Sequence, residues 1–274
     1  MTRTPVKIID AGVEHRDLCA CCLCEWATDF KLGAERRAQW IERFSARGLR
    51  IKLALNQAGV VGGMIQYLPI EESMAEGTGL YFVPCIWVHG HKQGRGDQRG
   101  HGLGTALLEA AEADARALGA KGMAAWGLWL PVWMKAGWWR KHGYRKADRQ
   151  GMMVLLWKPF CAAAQPPRWL TAQKPVPPGE PARVTVTVFS NSWCLAGNQT
   201  CEDARRAAAE LGERVVFREI DTSEHAAFAE WGRSGEVFID DKSVTKGAPV
   251  GYQKLHKLIE KRIRRLPGPP APPR

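Results

Sequence analysis

The chain has 274 residues, 45% hydrophobic and 24% charged, which is globular composition with room for two ordinary domains. No run of about 18 apolar residues occurs, which excludes a membrane-spanning helix. The first ten residues, Met1 to Asp10, carry charges and lack a secretory apolar stretch, so a cytoplasmic protein with no membrane partner is expected. The formal net charge of +11 suits a polyanion, whether nucleic acid, a membrane surface or a phosphate-rich small molecule. The basic residues are scattered, however, and the densest cluster is only Arg140, Lys141, Arg145 and Lys146. Nucleic-acid binding would rest on charge alone and is not expected.

The elements follow in chain order. Val6 to Ile9 reads as a short strand, and Glu14 to Trp26 and Glu35 to Arg47 as helices. Leu49 to Leu55 alternates apolar and basic residues, as a half-buried strand does, and Asn56-Gln57-Ala58-Gly59 turns it back into Val60 to Leu68. Leu80 to Val88 is rich in aromatic and β-branched residues and reads as a buried strand. Leu103 to Leu118 places Leu103, Leu107, Ala111, Ala115 and Leu118 on one helical face, with Gly119 positioned to stop it. Ala120 to Leu128 reads as a strand, Pro131 opens a helix that ends at Gly143, and Met152 to Trp157 is a final strand. Ala162 to Pro181 is proline-rich and reads as an extended linker, as the tail from Leu266 reads as disordered. The expected organisation is therefore a first domain over 1–160, a linker over 161–182, a second domain over 183–266 and a tail over 267–274.

Eight cysteines are present, and in a cytoplasmic chain they should be thiols. Four crowd into Cys19-Ala20-Cys21-Cys22-Leu23-Cys24. A zinc site combines two short ligand pairs separated by a loop, and no second pair is evident. These residues read as small buried thiols, and no metal is expected.

The most informative stretch is Gln98-Arg99-Gly100-His101-Gly102-Leu103-Gly104-Thr105. It follows a buried strand and opens an amphipathic helix. A glycine-rich turn there aims backbone N–H groups into one concavity, and the helix N-terminus adds positive potential. Glycine leaves room for a phosphate, and Arg99 can add a charge-assisted bond. The spacing is not that of a Walker loop, which needs Gly-Lys-Ser or Gly-Lys-Thr, nor of a Rossmann loop, because Gly104 comes one residue too early and a hairpin precedes it.

Arg99-x-x-Gly102-x-Gly104 resembles the coenzyme A loop of the GNAT acetyltransferases. Cys85-Ile86-Trp87-Val88 resembles their central strand, and Trp138-Trp139-Arg140-Lys141-His142-Gly143-Tyr144 resembles their closing helix-to-strand signature. Cys21-Cys22, Trp40 to Phe44 and Ile65 to Pro69 narrow the likeness to the YoaP-like group, which carries an extra C-terminal domain. The resemblance implies an α/β fold: a mixed sheet flanked by helices, with a splayed central strand that pairs with the pantetheine arm. It implies acetyl-CoA as cosubstrate, held by Trp87, Val88, Arg99, Gly100, His101, Gly102, Leu103, Gly104 and Thr105. It also implies acyl transfer to a primary amine of a small molecule or peptide. Backbone N–H groups near Trp87 and Val88 would hold the oxyanion. Tyr81, Cys85 and His89 are the candidate bases or relays near the central strand. Two departures stand out. The loop His89 to Gln98 is longer than usual and reads as an insertion rather than a lid. Trp139 occupies the place of a family tyrosine and cannot act as an acid. Trp126, Trp129, Trp133, Trp138 and Trp139 gather near the acceptor side, where core packing is the simpler reading.

In the second segment the order β-α-β-α-β-β-α resembles thioredoxin and glutaredoxin folds, with Phe189 to Cys194 like their active-site approach. The redox pair is missing: residue 197 is Gly197, and Glu236 stands where such folds place a proline. A monothiol or binding role for Cys194 fits better than oxidoreductase chemistry. The alternatives to acyl transfer are coenzyme A binding without turnover and a thiol-based function of this second domain.

Overall fold

Alternating apolar segments pair into one large sheet, one small sheet and a two-stranded ribbon in the computed structural model, which describes residues 6–130, 134–245 and 249–266. Two units result. One takes the described residues up to Asp29 together with Arg37–Thr171, and the other takes Phe30–Arg36 and the described residues from Ala172 onward.

The first unit runs β1 (Lys7–Asp10), α1 (Arg16–Ala20), α2 (Lys31–Ser45, whose first residues count with the other unit), β2 (Arg50–Leu55), β3 (Val61–Pro69), β4 (Ala75–Glu76), β5 (Leu80–Val88) and α3 (Leu103–Ala117). It continues with β6 (Gly122–Leu128), α4 (Ala136–Lys141), β7 (Arg145–Gln150), β8 (Met153–Pro159) and β9 (Arg168–Trp169). The seven-stranded sheet has the order β1-β2-β3-β5-β6-β8-β7 and is antiparallel except between β5 and β6. A parallel pair cannot be joined by a tight turn, and α3 supplies the crossover. Its predicted apolar face is the one that packs: Leu103, Leu107, Ala111 and Ala115 meet Ile65, Tyr67, Val83, Met123, Ala125 and Leu156. Each fully buried leucine there contributes about 1.5–3 kcal/mol. Leu118, read as the end of that face, is exposed beyond the helix.

Several elements differ from the sequence reading. The helix expected over Glu14 to Trp26 is α-helical only through Ala20, because Cys22 and Leu23 turn into the left-handed region at φ 52° and 62°. The turn delivers the Cys22 thiol to Arg37, a fully buried guanidinium that also donates to Gln66 Oε1 at 2.7 Å. Strand β7 gave no apolar signal because it is the sheet's outermost strand and four of its six residues, including Arg145 and Lys146, face solvent. The stretch read as a linker from 161 is partly folded: Ala164 and Trp169 are buried, β9 pairs with β4, and Trp169 N–H donates to Asp148 Oδ2 at 2.8 Å. The first unit therefore continues to Thr171. The expected helix start at Pro131, the tail over 267–274 and Trp133 lie outside the described residues.

The second unit has β10 (Val184–Ser190), α5 (Leu195–Glu210), β11 (Val215–Asp221), α6 (His225–Trp231), β12 (Glu236–Ile239), β13 (Lys242–Ser243) and α7 (Tyr252–Ile263). Its sheet order is β11-β10-β12-β13, with β10 parallel to β11 and antiparallel to β12. Val184, Val186 and Val188 pack against Cys201, Ala204 and Ala208 of α5 and Leu255 and Ile259 of α7. Within this unit Arg36 forks onto Glu219 at 2.6 and 2.8 Å and onto Glu202 at 2.6 Å. Burial alone would raise the Glu219 carboxyl, but Arg36 and Ser190 outweigh it and hold the group below its ordinary range.

Candidate functional site

The site begins where two strands part. β5 pairs with β6 only from Leu80↔Gly122 to Val83↔Ala125, then runs on to Val88 without it. Three local features force the split. Pro84 has no N–H to contribute to a ladder. Against β3, Leu68 faces Phe82 while Gln66 faces Cys85, so β5 carries an extra residue as a bulge. Trp126, the first residue of β6 past the paired stretch, turns its indole to Pro84, and Nε1–H donates to that carbonyl at 2.8 Å.

The other edge of β5 stays paired with β3. His89 N–H donates to Gly62 O at 2.9 Å, which makes Gly62 and His89 a hydrogen-bonded pair. An antiparallel ladder alternates, so Met64/Trp87 and Gln66/Cys85 are also bonded pairs. The N–H and C=O groups of Ile86 and Val88 then point away from β3, into the fork. The Trp87 N–H is committed to β3, while those of Ile86 and Val88 are not.

The fork opens on the start of α3. Gly100 and Gly102 have φ of 79° and 82°, which side-chain-bearing residues rarely adopt. Gly102 is the N-cap, with no side chain capping the helix, and the bond from Ala106 N–H to Gly102 O is 3.0 Å. The N–H groups of Leu103, Gly104 and Thr105 therefore face out of the helix end, where the dipole is positive. A Cβ on Gly104 would lie 3.5 Å from Trp138 Cζ2 and 3.7 Å from Val88 Cγ2, so helix start, open strand and α4 meet at this residue. Arg99 is two-thirds exposed and folds back on Asp97 at 2.6 Å, which holds that carboxyl well below its usual range. His101 is exposed on the same loop.

Two glycines that the motif reading passed over seat this loop. A Cβ on Gly62 would come within 2.9 Å of Leu103 Cδ2 and Gln98 Cγ, and one on Gly63 within 3.0 Å of Leu107 Cδ1. Consecutive glycines inside a strand are the available sequence signal for such a close approach. The stretch His89 to Gln98 is fastened at many points. His89 Nδ1 bonds Gly96 O at 2.8 Å, Arg95 Nη1 bonds Val61 O at 3.0 Å, and Asn56 Nδ2 bonds Gln98 Oε1 at 3.2 Å.

The candidate bases do not converge. Tyr81, Cys85 and His89 recur every four residues along one strand, about 13 Å apart from one to the next. Tyr81 packs edge-on to Tyr67 at 5.8 Å, beside the far end of α3, where Tyr67 bonds Asp114. Asp114 lies about 15 Å along the helix from Gly104. Burial pushes the Tyr81 hydroxyl up, further from use as a base. Cys85 sits just past the bulge, opposite Gln66 and hence on that residue's face of the sheet. His89 is fully buried with both ring nitrogens engaged, Nδ1 with Gly96 O and Nε2 with Trp26 Nε1–H at 3.4 Å. Both ring nitrogens are thus taken up by groups of the protein itself, and the ring braces the loop. Trp139 is 1% exposed and packs against Trp138 and Tyr144. Trp138 faces the Gly104 side and His142 bonds Thr105, two contacts the sequence reading did not anticipate.

Among the described residues no group of three or more His, Cys, Asp or Glu side chains could hold a metal ion, and no helix is long and apolar enough to cross a membrane. No family model and no curated protein matches the chain. Solved structures similar to it include a GNAT family acetyltransferase from Brucella melitensis in complex with acetyl-CoA (17% identity, 59% of this chain and 92% of that chain, TM-score 0.39). A second is the PaiA N-acetyltransferase from Thermoplasma acidophilum in complex with coenzyme A (14% identity, 57% and 100%, TM-score 0.41). A third is the GNAT family N-acetyltransferase YhbS from Escherichia coli in complex with CoA (11% identity, 62% and 93%, TM-score 0.42).

Proposed function

We propose that the first unit is a GNAT-type acyl-CoA N-acyltransferase, which moves an acetyl or short acyl group from acyl-CoA to a primary amine of a small molecule or peptide. One observation carries the reading: β5 leaves β6 after Val83 and runs to Val88 beside the uncapped, glycine-lined start of α3. An extended arm bearing amide groups fits the fork, where Ile86 and Val88 offer it ladder partners on one side. A pyrophosphate fits the helix end, where Leu103, Gly104 and Thr105 present N–H groups and Arg99 can leave Asp97 for a stronger anion.

In the reaction the amine nitrogen bonds to the thioester carbonyl carbon, the C–S bond breaks, and the amine loses a proton. The residues of this chain act by position. An N–H of the splayed strand holds the oxyanion, and burial in the fork excludes water. A lysine-like amine costs about 4 kcal/mol to deprotonate near pH 7.4. With His89 engaged and Tyr81 remote, the acceptor itself must arrive neutral or lose its proton to water. Cys85 is the remaining side chain of the three that stands near the fork.

The test is binding and turnover measured separately. Acetyl-CoA should raise the melting temperature of the full chain, and thiol release should be detected across a panel of amines. Absence of a thermal shift and of calorimetric binding sinks the reading. A second reading, coenzyme A binding without turnover, is favoured by the buried Trp139 and the engaged His89. Tight binding with no thiol release for any amine would select it. The second unit fits a thioredoxin-like domain that helps select or present the acceptor.

A further inference from the structure

A pair of side chains beside the helix start is wired to respond to an anion. His142 Nδ1 lies 2.9 Å from the Trp138 carbonyl oxygen, which can only accept, so Nδ1 carries a proton. Its Nε2 lies 3.0 Å from Thr105 Oγ1. When the ring is neutral, Nε2 is an acceptor and the Thr105 hydroxyl must donate to it. When the ring is doubly protonated, Nε2–H donates instead, and the hydroxyl proton is free for another acceptor. Thr105 also carries one of the three outward N–H groups at the start of α3.

Aromatic and charged groups surround the ring. The Trp138 indole lies 4.2 Å from the imidazole centroid, tilted by 39°, close enough for a cation–π contribution. Arg140 and Lys141 flank it on α4, and His101 stands on the loop. Glu109 is one turn along α3 from Thr105, and Lys158, paired with Glu112 at 2.7 Å, lies next to Gly143. A phosphate bound beside Nε2 would favour the doubly protonated ring by charge attraction.

We propose that Thr105 and His142 form one unit of the anion site, and that His142 takes up a proton when a phosphate group binds at the start of α3. The proposal rests on reading the fork as a coenzyme A site. Balance requires only the proton: bulk solvent supplies it to Nε2, and the Thr105 hydroxyl turns from Nε2 to a phosphate oxygen. By linkage, an anion that prefers the protonated ring binds more weakly as pH rises, by at most about tenfold per pH unit for one proton.

The test uses dephospho-coenzyme A, because the 3′-phosphate monoester of coenzyme A itself titrates near pH 6. Calorimetry on the full chain at pH 6, 7 and 8, in buffers of different ionisation enthalpy, reads affinity and proton uptake together. The wild type should take up a fraction of a proton and lose affinity several-fold over that range. His142→Gln, which keeps a hydrogen-bonding group without a titrating one, should bind with affinity independent of pH. Thr105→Val should abolish proton uptake although the imidazole remains. A merely packing role would lower affinity equally at all pH values and leave the uptake intact, which overturns the proposal. So does wild-type binding without uptake, or full uptake in His142→Gln. If the wild type binds neither dephospho-coenzyme A nor acetyl-CoA at any pH, the fork reading itself has failed.

Discussion

At α3 and at α5 a sheet strand leads into a helix, through the long loop after Val88 in the first unit and through a four-residue turn after Ser190 in the second. In the first unit the turn is built from Gly100, Gly102 and Gly104, no side chain caps the helix, and the preceding strand has already left its neighbour. In the second unit β10 stays paired with β11 to Ser190 and with β12 to Phe189, and the turn is filled with buried polar side chains. Asn191 Oδ1 takes the Cys194 N–H at 3.1 Å, and Asn198 Nδ2 bonds Ser192 O at 2.9 Å and Gly33 O at 3.2 Å. A Cβ on Gly33 would lie 2.9 Å from Leu195 O, so the segment 30–36 sits directly on the first turn of α5. One helix end is held open and the other is covered by its own unit. The two helix ends carry the same dipole and differ in strand divergence and in glycine.

The sharpest way to break this contrast is to close the open turn. Gly102→Val places a β-branched residue at a φ of 82° and should reduce coenzyme affinity by at least about a hundredfold in calorimetry, with a stability loss of about 1–2 kcal/mol. Undiminished affinity would remove the loop from the site. Gly62→Val acts from beneath. Its side chain would displace Leu103 and Gln98, and affinity should fall about tenfold while the circular dichroism spectrum is kept.

A smaller effect concerns the far end of α3. Burial raises the Asp114 carboxyl, but bonds from Tyr67 at 2.6 Å and from Arg50 outweigh it and lower the group below its usual value. A lowered carboxyl contributes stability that is present above its unfolded value and is lost as pH falls through the folded one. The first unit should therefore lose stability in acid. Asp114→Asn should cost about 1–2 kcal/mol at pH 7, after allowance for solvent screening, and less at pH 3 in urea melts. An equal cost at both pH values would contradict the assignment.

The smallest expected effect lies in the covered turn. Cys194→Ser should leave acyl transfer within a few-fold of wild type. An oxidant should not close Cys194 onto Cys201, because they are seven positions apart along the helix, a rise of about 10 Å, beyond disulfide reach. Burial also pushes the Cys201 thiol up to about 12, so it should resist alkylation at pH 8 while exposed Cys161 reacts. Mass spectrometry after iodoacetamide treatment decides both points, and a Cys194–Cys201 crosslink would reopen the redox reading.

Most of the strands were legible in the sequence because one or both faces are apolar, and Leu80–Val88 was delimited residue for residue. The α3 face and the glycine turn were equally legible, since both depend on residues adjacent along the chain. Strand β7 and the β4–β9 ribbon were not, because edge elements stabilised by pairing carry no periodic apolar signal. The fork was anticipated only through family likeness. Its cause, a bulge at Pro84 and an indole borrowed from Trp126, joins residues far apart in the chain. The roles of single polar side chains were decided by tertiary structure alone. His89 and His142 are both histidines near the start of α3, yet one is sealed between Gly96 and Trp26 while the other bonds Thr105 in the first turn of that helix. Local sequence determines which backbone conformations are cheap; which imidazole is buried and which is poised depends on partners that only folding brings within hydrogen-bond distance.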